Sequence, residues 1–86
     1  MSQMDEAPSQ VIDARGLKCP APSLKLRRAL EACAPGAVIE LWADDPMARI
    51  DVPHLVRALG DEVVYSDLTK AHSVFWVRKR RPGSGA

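Results

Sequence analysis

Alternating apolar and polar positions predict four β-strands along this chain. Each run is short, rich in β-branched or aromatic residues, and bounded by turn-forming residues. In the second run, Ile39 and Leu41 fall on one side and Glu40 and Trp42 on the other, so one face of that strand is expected to be buried. The sequence LTKAH between the last two runs favours a hairpin. The predicted strands span residues 10–14, 37–43, 62–67 and 73–79.

Helical spacing of apolar residues predicts two α-helices between these strands. The first begins at Pro20, has a second proline in its first turn, where few amide bonds are lost, and runs to the second cysteine. The second lies within residues 47–60, with a break expected near Pro53 and an end at Gly60. At 3.6-residue spacing, the predicted buried stripes are Pro22, Leu26, Ala29, Leu30 and Cys33 in the first helix, and Leu55, Val56 and Leu59 in the second.

The order β-α-β-α-β-β predicts an α/β fold, a two-layer α+β sandwich with a four-stranded mixed open sheet. Two short helices cannot cover both faces of such a sheet, so we expect both to pack on one face. The face that carries Glu40 and Trp42 is then left toward solvent or toward a partner.

The residue totals indicate one small domain with no membrane span. The chain has 86 residues and a formal net charge of +1, and no apolar run approaches the roughly 18 residues of a spanning helix. The small net charge argues against a membrane or nucleic-acid surface, so we expect no direct contact with either. The polar, acidic N-terminus is unlike a signal peptide, so we expect a cytoplasmic protein, and we expect it to be a monomer. We predict a disordered segment over 1–9, the domain over 10–79 and a flexible tail over 80–86.

The first of two cysteines lies directly before the first helix. A helix N-terminus carries about half a positive charge, which favours a thiolate over a thiol. Arg15 and Lys18 are close in sequence, and positive charge near a thiol lowers its pKa. Pro20 and Pro22 stiffen the first turn. We therefore expect Cys19 to present an exposed, nucleophilic sulfur with a lowered pKa.

The other groups that nucleophilic catalysis requires are not evident in the sequence. Cys33 follows 14 positions later, and a helix between the cysteines separates them by roughly 20 Å, which excludes a disulfide. His54 and His72 are not placed beside Cys19 by the sequence. No phosphate-binding loop or zinc spacing is present, so no cofactor or metal is expected. A carrier served by other proteins fits this pattern better than a stand-alone enzyme.

The stretch DARGLKCPAPSLKLRRAL is similar to the signature of the TusA/SirA-like sulfur-carrier family, which has L-x-C-P-x-P between its first strand and first helix. The segment ADDPMARIDVPHLVRALG resembles the family's A-D-D-P segment and the D-I-P and short helix that follow it. The late EVVYSD and VFWVRK resemble its closing hairpin. The resemblance extends over residues 11–79.

The resemblance implies that Cys19, followed by Pro20 and Pro22, carries sulfur as a persulfide. The sulfur would come from a donor protein, a cysteine desulfurase or a rhodanese. It would pass to an acceptor protein in tRNA thiolation, molybdenum-cofactor maturation or sulfur oxidation. Ala21 and Ser23 stand where family members commonly carry larger or charged residues, which leaves the partners open.

Other residues have simpler expected roles, and two other functions stay open. Leu24, one turn from Cys19 and opposite the buried stripe, is a candidate partner contact. Asp45 is predicted to be an N-cap, and Asp51 to cap a helix that starts near Pro53. The alternatives are a thiol-based redox or regulatory protein, and a small RNA-binding module that uses the basic run 78–81.

Overall fold

The computed structural model describes residues 7–81. Its elements follow the predicted order, and each end lies within one residue of the predicted one. They are β1 (Gln10–Asp13), α1 (Ala21–Ala32), β2 (Val38–Ala43), α2 (Ala48–Leu59), β3 (Glu62–Asp67) and β4 (Ser73–Arg78).

The four strands form one mixed open sheet in the order β1-β2-β4-β3. β1 pairs with β2 in parallel, while β4 is antiparallel to both β2 and β3. The predicted hairpin is therefore confirmed, with a register shift between Val63 and Tyr65. The predicted fold class is confirmed as well.

Both helices pack on the same face of this sheet. Leu41 pairs with Phe75 and Ile39 with Val77, so these side chains point to one face, and all four are buried in a single core. The same core contains buried residues from both helices. They are Leu26 and Leu30 of α1, and Ala48, Val52 and Val56 of α2.

The second helix differs from its prediction. It continues through Pro53 without a break, because Val52 and Val56 on either side of the proline are both fixed in the core. The buried stripe of α2 lies nearer the N-terminus of the helix than predicted. Val52 is fully buried, while Leu55 and Leu59 are half-buried. Gly60 ends the helix in a left-handed conformation, φ +80°, as predicted.

The face opposite the helices carries an aromatic groove of about 550 Å³. Trp42 contacts His72 with ring centroids 5.3 Å apart, and Tyr65 contacts Trp76 at 5.1 Å. Trp42 also donates to Glu40 at 2.5 Å. Trp42 is therefore half-buried by its neighbours on this face.

Among residues 7–81, no helix is long and apolar enough to cross a membrane. The predicted segments 1–9 and 80–86 lie mostly outside the described residues, and their flexibility stays a prediction.

Candidate functional site

The sheet topology brings two loops together at one end. Because β1 and β2 are parallel and each is followed by a helix, the N-termini of α1 and α2 lie at the same edge of the sheet. Open α/β sheets bind their ligands outside the carboxyl ends of the strands. Cys19 lies in the loop after β1, and Asp44 and Asp45 lie in the loop after β2.

The acidic loop holds the backbone of the cysteine loop. The carboxylate of Asp45 accepts the N–H of Cys19 at 2.8 Å with one oxygen and the N–H of Met47 at 2.9 Å with the other. The carboxylate of Asp44 accepts the N–H of Gly16 at 3.0 Å to each oxygen. Gly16 has φ +84°, a left-handed conformation that favours glycine. The backbone of the cysteine loop is thus held at Gly16 and at Cys19 by the loop that follows β2.

The prediction that Asp45 is the N-cap of α2 is wrong, because the N-cap residue is Met47 and no side chain caps the helix. The carboxylate of Asp45 instead accepts the N–H of Met47 in the turn before the helix, and it also accepts the N–H of Cys19, 26 residues earlier in the chain. The pKa of Asp45 is lowered, mainly because these two backbone N–H groups favour the charged form. The contact between Asp45 and Cys19 had one signal in the sequence, which is the acidic pair Asp44 and Asp45 directly after the second strand.

The thiol environment contradicts the expected exposed sulfur with a lowered pKa. Cys19 is half-buried and packs against the hydrophobic core. Its pKa is raised to about 11, first by burial, then by a hydrogen bond to Asp51 and by the negative charges of Asp51 and Asp45. Both carboxylates belong to the segment after β2, so their effect on the sulfur depends on tertiary contact.

The predicted cations do not act on the sulfur. Arg15 donates two hydrogen bonds to the carboxylate of Asp13, at 2.8 and 2.7 Å, and lies 5.0 Å over the ring of Trp42. This pairing lowers the pKa of Asp13 to about 2. Lys18 is exposed, and its charge lowers the pKa of Asp45. The prediction that Arg15 and Lys18 lower the pKa of the thiol is therefore wrong.

The prolines begin the first helix as predicted. Pro20 is the N-cap residue, the Cys19–Pro20 peptide bond is cis, and Pro22 is buried at the second helical position. The N–H of Leu24 donates to the carbonyl of Pro20 at 3.0 Å. The side chain of Leu24 is 48% exposed, so it is available to a partner.

Cys33 lies at the other end of α1. It is the C-cap residue, and its thiol donates to the carbonyl of Leu30 at 3.5 Å. Both cysteines are free, and the 12 helical residues between them span about 18 Å. Cys33 is therefore a packing residue at a distance from Cys19.

Three further residues from the sequence analysis are His54, His72 and Asp51. His54 is exposed on α2, and His72 lines the aromatic groove. Asp51 is in the first turn of a continuous α2, so the prediction that it caps a helix starting near Pro53 is wrong. Within the described part of the chain, no three His, Cys, Asp or Glu residues are grouped as metal ligands.

Beside the cysteine loop there is room for little more than a side chain. A cavity of about 240 Å³ borders the loop, below the roughly 300–1,000 Å³ of typical small-molecule pockets. It is lined by Gly16, Leu17, Lys18, Asp44, Asp45 and Pro46. A substrate carried on another macromolecule suits this site better than one enclosed by this chain.

Comparisons with known proteins agree on one family. The family model for sulfurtransferase TusA matches residues 10–79. A sulfur carrier protein TusA of Pseudomonas putida is 33% identical over 76 residues, which are 88% of this chain and 95% of that protein. A putative sulfur carrier protein of Thermotoga maritima is 39% identical over 56 residues, 65% of this chain and 71% of that protein. A crystal structure of a SirA-like protein from Desulfitobacterium hafniense matches with a TM-score of 0.71 at 22% identity, over 84% of this chain and 99% of the other.

Proposed function

Since this chain belongs to the sulfurtransferase TusA family, we propose that Cys19 accepts sulfane sulfur from a donor protein as a persulfide and passes it to an acceptor protein. The names of the relatives support a sulfur-carrier role in general. The residues for the persulfide step, and the pathways it serves, are our inference.

The contact between Asp45 and the Cys19 amide carries this proposal. A carrier must offer its sulfur in one position to successive partners. The 2.8 Å hydrogen bond fixes the backbone at Cys19, and Pro20 and Pro22 stiffen the chain that follows. The small cavity beside the loop supports a donor that brings the sulfur on its own side chain.

The transfer conserves electrons and atoms. The sulfur of Cys19 attacks the outer sulfur of a donor cysteine persulfide, so a new sulfur–sulfur bond forms on Cys19 and the bond to the donor cysteine breaks. The donor sulfur leaves as a thiolate, and the proton of the Cys19 thiol ends on it. A second exchange of the same kind delivers the sulfur to the acceptor.

The raised pKa gives the partner a role in this step. The thiolate is the nucleophile, and the carboxylates of Asp45 and Asp51 oppose its formation in the free protein. A donor that brings a cation to this loop would offset these charges. The isolated carrier is then slow to react with small electrophiles, and the docked carrier is activated.

We infer that the exposed side chain of Leu24, on the outer face of α1, contacts the donor, the acceptor or both. A cysteine desulfurase or a rhodanese is the proposed donor. The proposed destinations are tRNA thiolation, molybdenum-cofactor maturation and sulfur oxidation, in the cytoplasm.

The two alternative functions have less support. A redox-sensing cysteine requires a low pKa and good access, whereas Cys19 is half-buried and its pKa is raised. An RNA-binding role for the basic run requires available cations. The ammonium of Lys79 donates to the carbonyl of Leu30 at 2.6 Å, and Arg78 pairs with Glu62 at 3.4 Å.

Sulfur loading from a cysteine desulfurase tests the proposed function. The protein is incubated with the desulfurase and cysteine, then digested and mapped by mass spectrometry without reductant. We expect one added sulfur on the Cys19 peptide, none on the Cys33 peptide, unchanged loading in Cys33→Ala and none in Cys19→Ser. Wild-type protein that stays unmodified with both a desulfurase and a persulfide-loaded rhodanese would refute the proposal.

A further inference from the structure

The hydroxyl of Ser23 is buried without a hydrogen-bond partner. Ser23 is the third residue of α1 and is 8% exposed. Among the described residues, its oxygen is the only buried side-chain polar atom with no partner. A helical serine often donates to the carbonyl four residues earlier, which here belongs to Cys19, but Ser23 does not make that bond. A buried polar atom left in this state calls for a physical explanation.

Ser23 lies on the face of α1 that packs in the core. Leu26 and Leu30, three and seven residues after Ser23, are both buried in that core, and Cys19, which precedes α1, packs against the same core. Side chains on a helix lean toward its N-terminus, so the hydroxyl of Ser23 leans toward the end of α1 that Cys19 precedes, which is the positive end of the helix.

We propose that the hydroxyl of Ser23 donates a hydrogen bond to the outer sulfur of a persulfide on Cys19. This inference rests on the proposed function and names a residue that binds the carried sulfur. In the thiol form, the sulfur of Cys19 makes no hydrogen bond to Ser23. A persulfide places a second sulfur about 2.05 Å beyond the first, which extends the reach of the side chain toward the hydroxyl.

The charges around Cys19 explain why such a donor is needed. A persulfide anion beside Asp45 and Asp51 is destabilised by both carboxylates, as the thiolate is. A hydroxyl and the N-terminus of α1 are the groups on this side that favour negative charge. Loading with sulfur then satisfies a hydroxyl that the empty carrier leaves unpaired, so the loaded form gains stability relative to the empty form.

The test compares wild type, Ser23→Ala and Ser73→Ala, each in a Cys33→Ala background. Ser73 is the matched control because it is also a buried serine, at 5% exposure, but lies at the start of β4. Each protein is loaded with inorganic polysulfide. The Cys19 sulfur attacks an outer sulfur of the polysulfide, forms a persulfide and releases a polysulfide shorter by one atom. Melting temperatures of the empty and loaded forms are measured, together with the decay of the persulfide by cyanolysis.

We expect Ser23→Ala to raise the melting temperature of the empty form, since it removes an unpaired hydroxyl. On loading, wild type and Ser73→Ala should gain stability, while Ser23→Ala gains little and loses its persulfide roughly tenfold faster. Equal loading-dependent shifts and equal decay in Ser23→Ala and wild type would overturn the inference while the proposed function stands. A wild type that cannot hold sulfur on Cys19 at all would instead overturn the proposed function.

Discussion

The carboxylate of Asp45 accepts the backbone N–H of Cys19 at 2.8 Å, although the two residues are 26 positions apart. The bond joins the loops that follow two parallel strands, and the same carboxylate also accepts the N–H of Met47, the N-cap residue of α2. The backbone at Cys19 is therefore positioned by Asp45 as well as by Pro20 and Pro22.

Replacing Asp45 with Asn should loosen the cysteine loop. An amide side chain has a single oxygen to accept hydrogen bonds, so one of the two backbone N–H groups loses its partner. We expect a lower melting temperature than wild type at neutral pH and altered alkylation kinetics at Cys19. Asp67→Asn is the matched control, because Asp67 accepts two bonds from Thr69 in a loop distant in sequence. It should leave alkylation of Cys19 unchanged.

The stabilising effect of Asp45 should be lost in acid. Its pKa in the folded protein is lowered from the ordinary 3.8 by the N–H groups of Met47 and Cys19. A carboxylate with a lowered pKa adds stability above its unfolded pKa, and that stability is lost as pH falls through the folded value. Thermal melts from pH 6 to pH 2 should show wild type and Asp45→Asn converging below about pH 4. A constant difference across this range would contradict the assignment.

The free carrier should react slowly with alkylating agents at neutral pH. The pKa of Cys19 is about 11, so iodoacetamide labelling should keep accelerating well above pH 9. Asp51→Asn should shift this profile to lower pH because it removes a nearby negative charge. Arg15→Gln should not shift it, since Arg15 is paired with Asp13. A wild-type midpoint below pH 8 would show that the carboxylates do not control the thiol.

The same thiol should make the fold sensitive to alkali. Its pKa is raised from 9.0 in the folded protein to about 11, so its contribution to stability is complete below pH 9 and is lost as pH rises through 11. Melting temperatures from pH 8 to pH 11.5 should therefore fall more steeply for wild type than for Cys19→Ser. Other groups that titrate in this range are common to both proteins, and parallel curves would count against a raised pKa.

Two leucines of the first helix should have opposite phenotypes. Leu26 is fully buried, and Leu26→Ala should lower the free energy of unfolding by about 2–5 kcal/mol. Leu24 is 48% exposed, and Leu24→Ala should change that free energy by less than about 0.5 kcal/mol. Urea denaturation measures both effects. We expect Leu24→Ala to slow sulfur loading from the donor at an unchanged pKa of Cys19, and unchanged loading would remove Leu24 from the docking surface.

The sequence by itself determined the order of the elements, the inward face of β2, the place of Cys19 before the first helix and the separation of Cys33 from it. These features follow from local periodicity and turn chemistry, which act over a few residues. The tertiary structure alone decided the burial of the Cys19 sulfur and the pKa of its thiol. Asp45 and Asp51 follow Cys19 by 26 and 32 positions in the chain, and only the parallel pairing of β1 and β2 brings their charges to it. A pKa depends on burial and on charges that are close in space. Arg15 and Lys18 are close to Cys19 in sequence, but in the fold Arg15 pairs with Asp13 and Lys18 is exposed to solvent. The sequence neighbours of Cys19 therefore did not predict the pKa of its thiol.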